Sequence, residues 1–425
     1  MWGAIFLAAA VVILCGGMLL GKKAQLHLAW VSALILTAGI FIHLPRIHIE
    51  SGQGEKLLAI KEGAYGVVAV TERPGSRRLK LNNHYGLGGS ASVGEERMQA
   101  HIPLLLYPGP RHVAFLGYGT GITAGGAFFH DPGPIVYTVI PAGGIKSYRV
   151  TAMELVPEAT ALAGEFFARE NNDFASQPWA HPVIEDARNF LRGTPQKFDV
   201  IVGDLVVPWR QGEGALYTLE HFQTARARLA NGGLYCAWLP LFQLGEEEFQ
   251  TILRTFLEVF PRTSVWRGDF SPNNPALALI GFADGDFDPE ATTRRISGME
   301  PDPANPHLKH PATFWMHFLG MVDKSAAGSG SLNTEDRPVV ELRTRRPPPF
   351  VGRAFQTWEN QVRQSSAAAV QTLLPADALS GWKAGGLMGE FSLLFFERRE
   401  KEAAAIQQKI VEALGPEVAR SIFGG

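Results

Sequence analysis

The stretch from Arg111 to Gly126, RHVAFLGYGTGITAGG, constrains the fold of this chain more than any other. His112–Leu116 is short and mostly apolar, which is typical of a buried strand, and Gly117, Gly119 and Gly121 follow it as G-x-G-x-G. Glycine lets a backbone approach a ligand closely, and the N–H groups at a helix start attract polar or anionic groups. The pattern indicates either a nucleotide-type site or a tight strand–helix turn without a ligand.

Acidic residues at later strand ends favour the nucleotide-type site. Glu154 follows the second predicted strand, where a carboxylate can accept hydrogen bonds from both hydroxyls of a ribose. Asp186 can accept a hydrogen bond from an adenine amino group, and Ala187 leaves room for the ring. Asp204 follows the fourth strand and can act as a general base or hold a cation. One acidic residue at a strand end is common, but four suitable strand ends in chain order indicate a nucleoside site.

The alternation of strands and helices predicts an α/β fold with a parallel sheet and helices on both faces. We expect two transmembrane helices in residues 1–46 and a small antiparallel β unit in residues 47–106. The α/β domain is expected in residues 107–284. An irregular linker, residues 285–350, and a C-terminal helical extension, residues 351–425, follow it.

Two apolar segments at the start of the chain predict a transmembrane helical hairpin. Trp2–Leu20 is uncharged and about long enough to cross a bilayer, and Ala29–Leu44 is apolar again after a break at Lys22 and Lys23. The alternative is a signal peptide followed by one anchor, but the first segment lacks a positive n-region and a fitting cleavage site. We expect an inner-membrane protein with two spans. The bias of Lys and Arg around the spans slightly favours a cytoplasmic main domain.

Composition narrows the possible partners and cofactors. The 425-residue chain has a formal net charge of −2, so no nucleic-acid partner is implied. Its two cysteines, Cys15 and Cys236, indicate neither a disulfide framework nor a cysteine metal site. The twelve histidines are scattered and include no HExxH pair, so we expect no metal.

At this point the chain resembles the spermidine synthase (polyamine aminopropyltransferase) family, and in particular its membrane-attached bacterial members. The resemblance covers about Leu57–Phe282, and a trailing LNTEDRP at Leu332–Pro338 is similar to the end of those relatives. The matching segments, in family order, are YGVVAV (Tyr65–Val70), LKL (Leu79–Leu81), HIPL (His101–Leu104), the glycine loop, MELVPE (Met153–Glu158), EDARNFL (Glu185–Leu191), FDVIVGD (Phe198–Asp204) and LYTLEHF (Leu216–Phe222).

The resemblance implies a methyltransferase-like Rossmann sheet that binds decarboxylated S-adenosylmethionine or methylthioadenosine. The glycine loop, with Gly117, Gly119 and Gly121, would lie against the nucleoside. Glu154 would hold the ribose, and Asp186 with Ala187 would hold the adenine. Asp204 falls where the family has the acidic residue that activates the attacking amine.

The sequence departs from the family where amines bind. Thr120 replaces an aspartate that binds the donor amine, and Asn82 and Gly86 replace the aspartate and glutamine of L-x-L-D-G-x-x-Q. Val207 stands where the family has a second aspartate before proline, and the D-E-x-x-Y segment aligns with Ala91, Ser92 and Glu95. A polyamine needs several carboxylates to offset the desolvation of its ammonium groups. The adenosine half of the site is therefore retained and the polyamine half is not.

Three functions remain open. The first is a transferase that uses an S-adenosylmethionine-type donor on an unknown, less cationic acceptor. The second is true spermidine synthesis, which the missing carboxylates disfavour. The third is a catalytically inactive domain that serves as a structural or assembly subunit of a membrane protein complex. The expected partners are the lipid bilayer and other membrane-protein subunits, through the hairpin, the insertion at residues 130–144 or the C-terminal helices.

Overall fold

The structure is a computed structural model that describes residues 27, 29–34, 54–82, 85–131, 148–210, 212–342 and 348–424. Most of the expected hairpin, and most of the insertion at residues 130–144, lie outside these ranges. Within the ranges described, no helix combines the length and the apolar character needed to cross a bilayer. The chain divides into two compact units, residues 1–54 and 55–425, and both sheets belong to the second.

The second unit begins with the antiparallel β unit that the sequence predicts. Its four strands pair in chain order. Alternate side chains of the two central strands, such as Val68 and Leu79, pack on the helix that follows residue 156. This packing places the small sheet beside the glycine loop. The strands are β1 (Lys56–Gly63), β2 (Gly66–Arg73), β3 (Ser76–Leu81) and β4 (Tyr85–Gly89).

The main sheet has eight strands and confirms the predicted α/β fold. In chain order they are β5 (His112–Leu116), β6 (Arg149–Glu154), β7 (Ala180–Ile184), β8 (Phe198–Gly203), β9 (Leu229–Pro240), β10 (Thr263–Arg267), β11 (Ala276–Phe282) and β12 (Phe318–Val322). Their spatial order is β12-β10-β11-β9-β8-β5-β6-β7. Strands β5 to β9 are parallel. Strand β11 pairs antiparallel with β9, β10 with β11, and β12 with β10. Along the chain, β6 and β7 are added on one side of β5, and β8 and the later strands are added on the other side. The strand order therefore reverses between β5 and β8.

Helices cover both faces of the main sheet, and buried apolar side chains form a large cluster on each side. The helices of the domain are α1 (Val93–Leu106), α2 (Ile122–Gly125), α3 (Pro157–Phe166), α4 (Ala187–Gly193), α5 (Leu219–Ala227) and α6 (Glu246–Val259). Those that follow are α7 (Pro289–Gly298), α8 (Pro311–Trp315), α9 (Gly352–Leu373), α10 (Ala376–Phe396), α11 (Glu400–Leu414) and α12 (Pro416–Phe423).

Residues 285–350 differ from the irregular linker that we expected. They include helices α7 and α8, and strand β12 extends the main sheet beyond β10. The segment lacks a strong periodic pattern because β12 has only five residues, four of them buried, and a short apolar run does not identify a strand by itself. The α/β domain therefore continues past residue 284.

The C-terminal helices pack on the domain through a buried ion cluster. Arg267 of β10 donates from Nη1 to Glu359 Oε2 of α9 over 2.7 Å, and Arg363 Nε donates to Glu359 Oε1 over 2.8 Å. Arg363 also donates to the carbonyl oxygen of Trp382 in α10. All three charged side chains are nearly inaccessible. Buried charges are tolerated when they are paired and hydrogen-bonded, so the cluster fixes how α9 and α10 meet the sheet.

Candidate nucleoside-binding site

A cleft of about 670 Å³ lies at the carboxyl ends of the parallel strands. Its wall includes the residues that follow β5, β6, β7 and β8, together with the last strand of the small sheet and the start of α1. This is the edge where open α/β sheets bind ligands, at the point where their strand order reverses. The structure brings six of the seven residues expected in the site to this wall: Gly117, Gly119, Glu154, Asp186, Ala187 and Asp204.

The glycine loop approaches the cleft in conformations that favour glycine. Gly117 and Gly119 have φ values of +110° and +53°. A Cβ atom on Gly119 would lie 2.6 Å from the carbonyl oxygen of Leu87 in β4. Gly121 instead lies outside the cleft wall, where it forms the turn beneath the ring of Tyr118 and caps the start of α2. Its role is therefore in the strand–helix turn.

Glu154 is held rigidly at the end of β6. Its Oε2 accepts a hydrogen bond from the Gly119 N–H over 2.8 Å, and its Oε1 accepts one from the Val156 N–H over 2.9 Å. Each carboxylate oxygen has two acceptor sites, so both retain one for a ligand. A carboxylate fixed in this way suits two adjacent hydroxyl groups.

Asp186 caps helix α4. Its Oδ1 accepts hydrogen bonds from the N–H groups of Arg188 and Asn189, over 2.8 and 3.0 Å. This is the usual chemistry of an N-cap aspartate, which sequence reasoning did not consider for this residue. Both cap bonds end on Oδ1, so the cap itself does not engage Oδ2. The residue lines the cleft beside Ala187.

Asp204 follows β8, and the glycine loop follows the neighbouring strand β5. The strand order of the sheet reverses between these two strands. A Cβ atom on Gly117 would lie 3.3 Å from the Cβ of Asp204, which shows how closely the two strand ends meet. Burial raises the pKa of Asp204 to about 6, although hydrogen bonds from Leu205 N–H and Thr123 act in the opposite direction. A carboxyl group with a pKa near neutrality can exchange a proton with a bound amine.

Glu96 is a second partly buried carboxyl group in the cleft, and the sequence analysis did not identify it. It lies in the first turn of α1, and burial raises its pKa to about 7, against hydrogen bonds from Ser92 and Gly89; nearby Asp204 raises the pKa further. The resemblance to the family aligns the neighbouring Glu95 with a residue of the D-E-x-x-Y segment, but the side chain of Glu95 is exposed. Successive helical residues point about 100° apart, so the adjacent acid faces the cleft instead. The sequence features that could have pointed to Glu96 are the two consecutive acids, Glu95 and Glu96, and a glycine loop that lacks the aspartate of the family.

Three of the positions that depart from the family have different surroundings in the structure. Asn82 is used within the small sheet, where its Oδ1 accepts the Val67 N–H and its Nδ2 donates to the Tyr65 carbonyl oxygen. Gly86 lines the cleft, whereas Val207 is buried and donates its N–H to Glu213. Glu213 itself lines the cleft, so the loop after β8 supplies an acid from a different position.

Comparison with known proteins matches residues 93–266 to the spermine/spermidine synthase domain. This segment belongs to the spermidine synthase-like family. A polyamine aminopropyltransferase of Mycobacterium tuberculosis is 29% identical over 216 residues, which are 48% of this chain and 38% of that protein. One from Streptococcus pneumoniae is 23% identical over 278 residues, which are 63% of this chain and 91% of that protein. The chain thus spans about two fifths of the length of the mycobacterial relative.

Two solved spermidine synthase structures are similar to the spermidine synthase-like domain. One, in complex with the transition-state analogue AdoDATO, has 22% identity and a TM-score of 0.48 over 55% of this chain and 78% of that chain. The structure from Thermotoga maritima has 21% identity and a TM-score of 0.46 over 55% of this chain and 77% of that chain.

Proposed function

We propose that the spermidine synthase-like domain binds an S-adenosylmethionine-type nucleoside and transfers a group from it to an amine other than the standard diamine. The observation that carries this proposal is the convergence of the glycine loop with acids from three strand ends on one cleft. Six acids of the described residues line it: Glu96, Glu154, Glu185, Asp186, Asp204 and Glu213. A cleft of this composition suits a positively charged donor and an amine acceptor.

The proposed reaction uses the fixed carboxylates for different tasks. Glu154 would hold the ribose, and Asp186 with Ala187 would hold the adenine. The acceptor nitrogen would attack the carbon next to the sulfonium sulfur, and the carbon–sulfur bond would break with its electron pair left on a neutral thioether. Asp204 would remove the proton that the acceptor nitrogen must lose. Its raised pKa keeps it close to the pH at which it can take and release that proton.

Calorimetry tests this function most directly. The full chain, kept in detergent because of its apolar N-terminal segment, is titrated with S-adenosylmethionine, decarboxylated S-adenosylmethionine and methylthioadenosine. We expect binding of at least one of them at micromolar concentration, followed by release of thioether product when a panel of amines is added. If none of them binds at millimolar concentration, the transferase function is wrong.

An alternative function is that of a catalytically inactive subunit of a membrane protein complex. The observation in its favour is a pair of large apolar side chains, Phe395 and Phe396, which are 65% and 55% exposed at the end of α10. Such side chains on an added helical layer suit contact with a partner. Purification of the full chain from its membrane distinguishes the two functions. A stoichiometric partner together with no nucleoside binding would favour the subunit.

We further propose that the two apolar N-terminal segments anchor the protein in the inner membrane with the main domain in the cytoplasm. The support is the length and lack of charge of Trp2–Leu20 and the apolar run Ala29–Leu44. A soluble nucleoside donor would also be available in that compartment.

A further inference from the structure

The segment of residues 332–341 packs against the α/β domain, although it lies beyond residues 93–266, which match the family. Its Asn333 is fully buried. The Asn333 N–H donates to Thr255 Oγ1 of α6 over 2.9 Å, and the Asn333 carbonyl oxygen accepts a hydrogen bond from the Leu219 N–H of α5 over 2.9 Å. These contacts fix the start of the segment against two helices of the domain.

The side chain of Asn333 fixes the segment at a second place. Its Nδ2 donates to the Tyr217 carbonyl oxygen over 3.0 Å, and its Oδ1 accepts a hydrogen bond from the Val340 N–H over 3.2 Å. Buried polar groups are stable only when they have such partners. Because residues 333 and 340 are held together, the chain between them, which includes Glu335, has a defined path.

Glu335 of this segment pairs with two arginines of helix α4. Its Oε1 accepts hydrogen bonds from Arg188 Nη2 over 2.8 Å and from Arg192 Nη2. Its N–H donates to Glu220 Oε2 of α5 over 2.9 Å. Residues four apart lie on the same face of a helix, where two like charges repel each other. The single carboxylate of Glu335 offsets this repulsion and links α4 to α5.

Helix α4 begins at one end of the cleft. Asp186, which caps the helix, lines the wall together with Ala187 and Arg188. Among the described residues, Arg188 belongs to this wall and Glu335 does not. The carboxylate of Glu335 can therefore act on the cleft through the arginine without contact with a ligand.

We propose that Glu335 is a positioning residue of the nucleoside site, which holds the start of α4 in place through the arginines of that helix. This inference rests on the proposed function, because it concerns the adenine end of the same cleft. Without the carboxylate, the two guanidinium groups repel each other and α4 loses its link to α5. The adenine contacts of Asp186 and Ala187 then form less well.

The test combines calorimetry with methylthioadenosine and thermal unfolding of the full chain in detergent. The proteins are the wild type, Glu335→Ala, Arg188→Ala and the double variant. Asp336→Ala is the matched control, because Asp336 is the next residue of the segment and an exposed acid. Amide hydrogen exchange of the ligand-free proteins reports on α4 itself.

We expect Glu335→Ala to weaken methylthioadenosine binding by about three- to fivefold, the size of a partly exposed ion pair. In the Arg188→Ala background the same substitution should have a smaller effect, because the arginine through which Glu335 acts is missing. Hydrogen exchange in Glu335→Ala should become faster in α4 and remain unchanged in α9. Asp336→Ala should behave as the wild type.

Unchanged methylthioadenosine affinity in Glu335→Ala, with only a lower unfolding midpoint, would assign Glu335 a purely stabilising role and overturn the inference. Effects of Glu335→Ala and Arg188→Ala that add fully in the double variant would overturn it too, as would equal weakening by Asp336→Ala. In each of these cases the nucleoside site stands, since the wild type binds. If methylthioadenosine does not bind the wild type, the proposed function is wrong and the inference is overturned with it.

Discussion

Among single residues, Asp204 carries the proposed chemistry, because it places a partly buried carboxyl group with a raised pKa after the central strand β8. Asp204→Asn keeps the shape of the side chain and removes the base. We expect turnover to fall by about 10²- to 10⁴-fold, while methylthioadenosine affinity stays largely intact. Steady-state assays and calorimetry on the same preparation measure both. The exposed Asp284→Asn provides the control, and unchanged turnover in Asp204→Asn would remove Asp204 as the base.

Glu96 should also make stability depend on pH. Its folded-state pKa of about 7 lies above the ordinary 4.5, so the folded state binds the proton more tightly than the unfolded state. Its contribution to stability is full below pH 4.5 and is lost as pH rises through 7. We expect Glu96→Gln to gain stability relative to the wild type between pH 4.5 and pH 8.

Urea unfolding at the two pH values measures this difference. Asp204 and Asp269, with pKa values raised by burial to about 6, remain in both proteins, so their contributions largely cancel in the comparison. Glu95→Gln, which replaces an exposed acid in the same helical turn, is the control variant. A Glu96→Gln effect of the same size at both pH values would contradict the raised pKa.

Among the elements, helix α10 depends on small residues where it crosses α8. A Cβ atom on Gly385 would lie 2.0 Å from the carbonyl oxygen of Met316, and one on Gly381 would lie 2.0 Å from that of Ala312. In Gly385→Ala, α10 must therefore move away from the backbone of Met316. We expect this variant to lower the free energy of unfolding by about 1–3 kcal/mol.

Gly164→Ala is the matched control for this prediction. Gly164 lies inside α3, and a Cβ atom added there would have no other atom within 4 Å, so alanine meets no obstacle. Alanine favours a helix over glycine, and we expect this variant to be stabilised by about 0.5–1 kcal/mol. Chemical denaturation of the two variants measures both effects. A Gly385→Ala protein as stable as Gly164→Ala would show that α10 does not lie this close.

The elements also show what sequence could and could not predict. Strand β5, its glycines and the acids at later strand ends were predictable because short apolar runs ending in Gly, Glu or Asp have few other interpretations in an α/β chain. Strand β12 was not, because its five residues become a strand only through pairing with β10. Glu96 was missed because the cleft, rather than any local pattern, distinguishes it from Glu95.

For the molecule as a whole, the C-terminal helices are part of the core of the second unit. Phe355, Trp358 and Val362 of α9 join the same buried cluster as the sheet residues Leu277 and Leu279. The ion cluster around Glu359 also fixes the position of α9 relative to strand β10. A partner that uses the C-terminal layer would therefore contact its outer face, where Phe395 and Phe396 are exposed, and would leave the inner face packed.

The division at residue 54 predicts that nucleoside binding and membrane anchoring depend on different parts of the chain. The residues that line the cleft run from Tyr65 to Gln243, all within the second unit. A chain of residues 55–425 should therefore fold, unfold cooperatively and bind methylthioadenosine with the affinity of the full chain. The apolar segments within residues 1–46 should determine only where the protein resides.

Alkaline carbonate extraction of membranes checks this separation. We expect the full chain to stay with the membrane pellet and residues 55–425 to appear in the supernatant, because hydrophobic insertion resists extraction whereas electrostatic surface binding does not. Intact-mass measurement of the purified full chain distinguishes a hairpin, which retains Trp2–Leu20, from a signal peptide, which loses it. Full chain released by carbonate with its N-terminus intact would contradict anchoring and leave the nucleoside site as a separate question, since that site depends on the second unit alone.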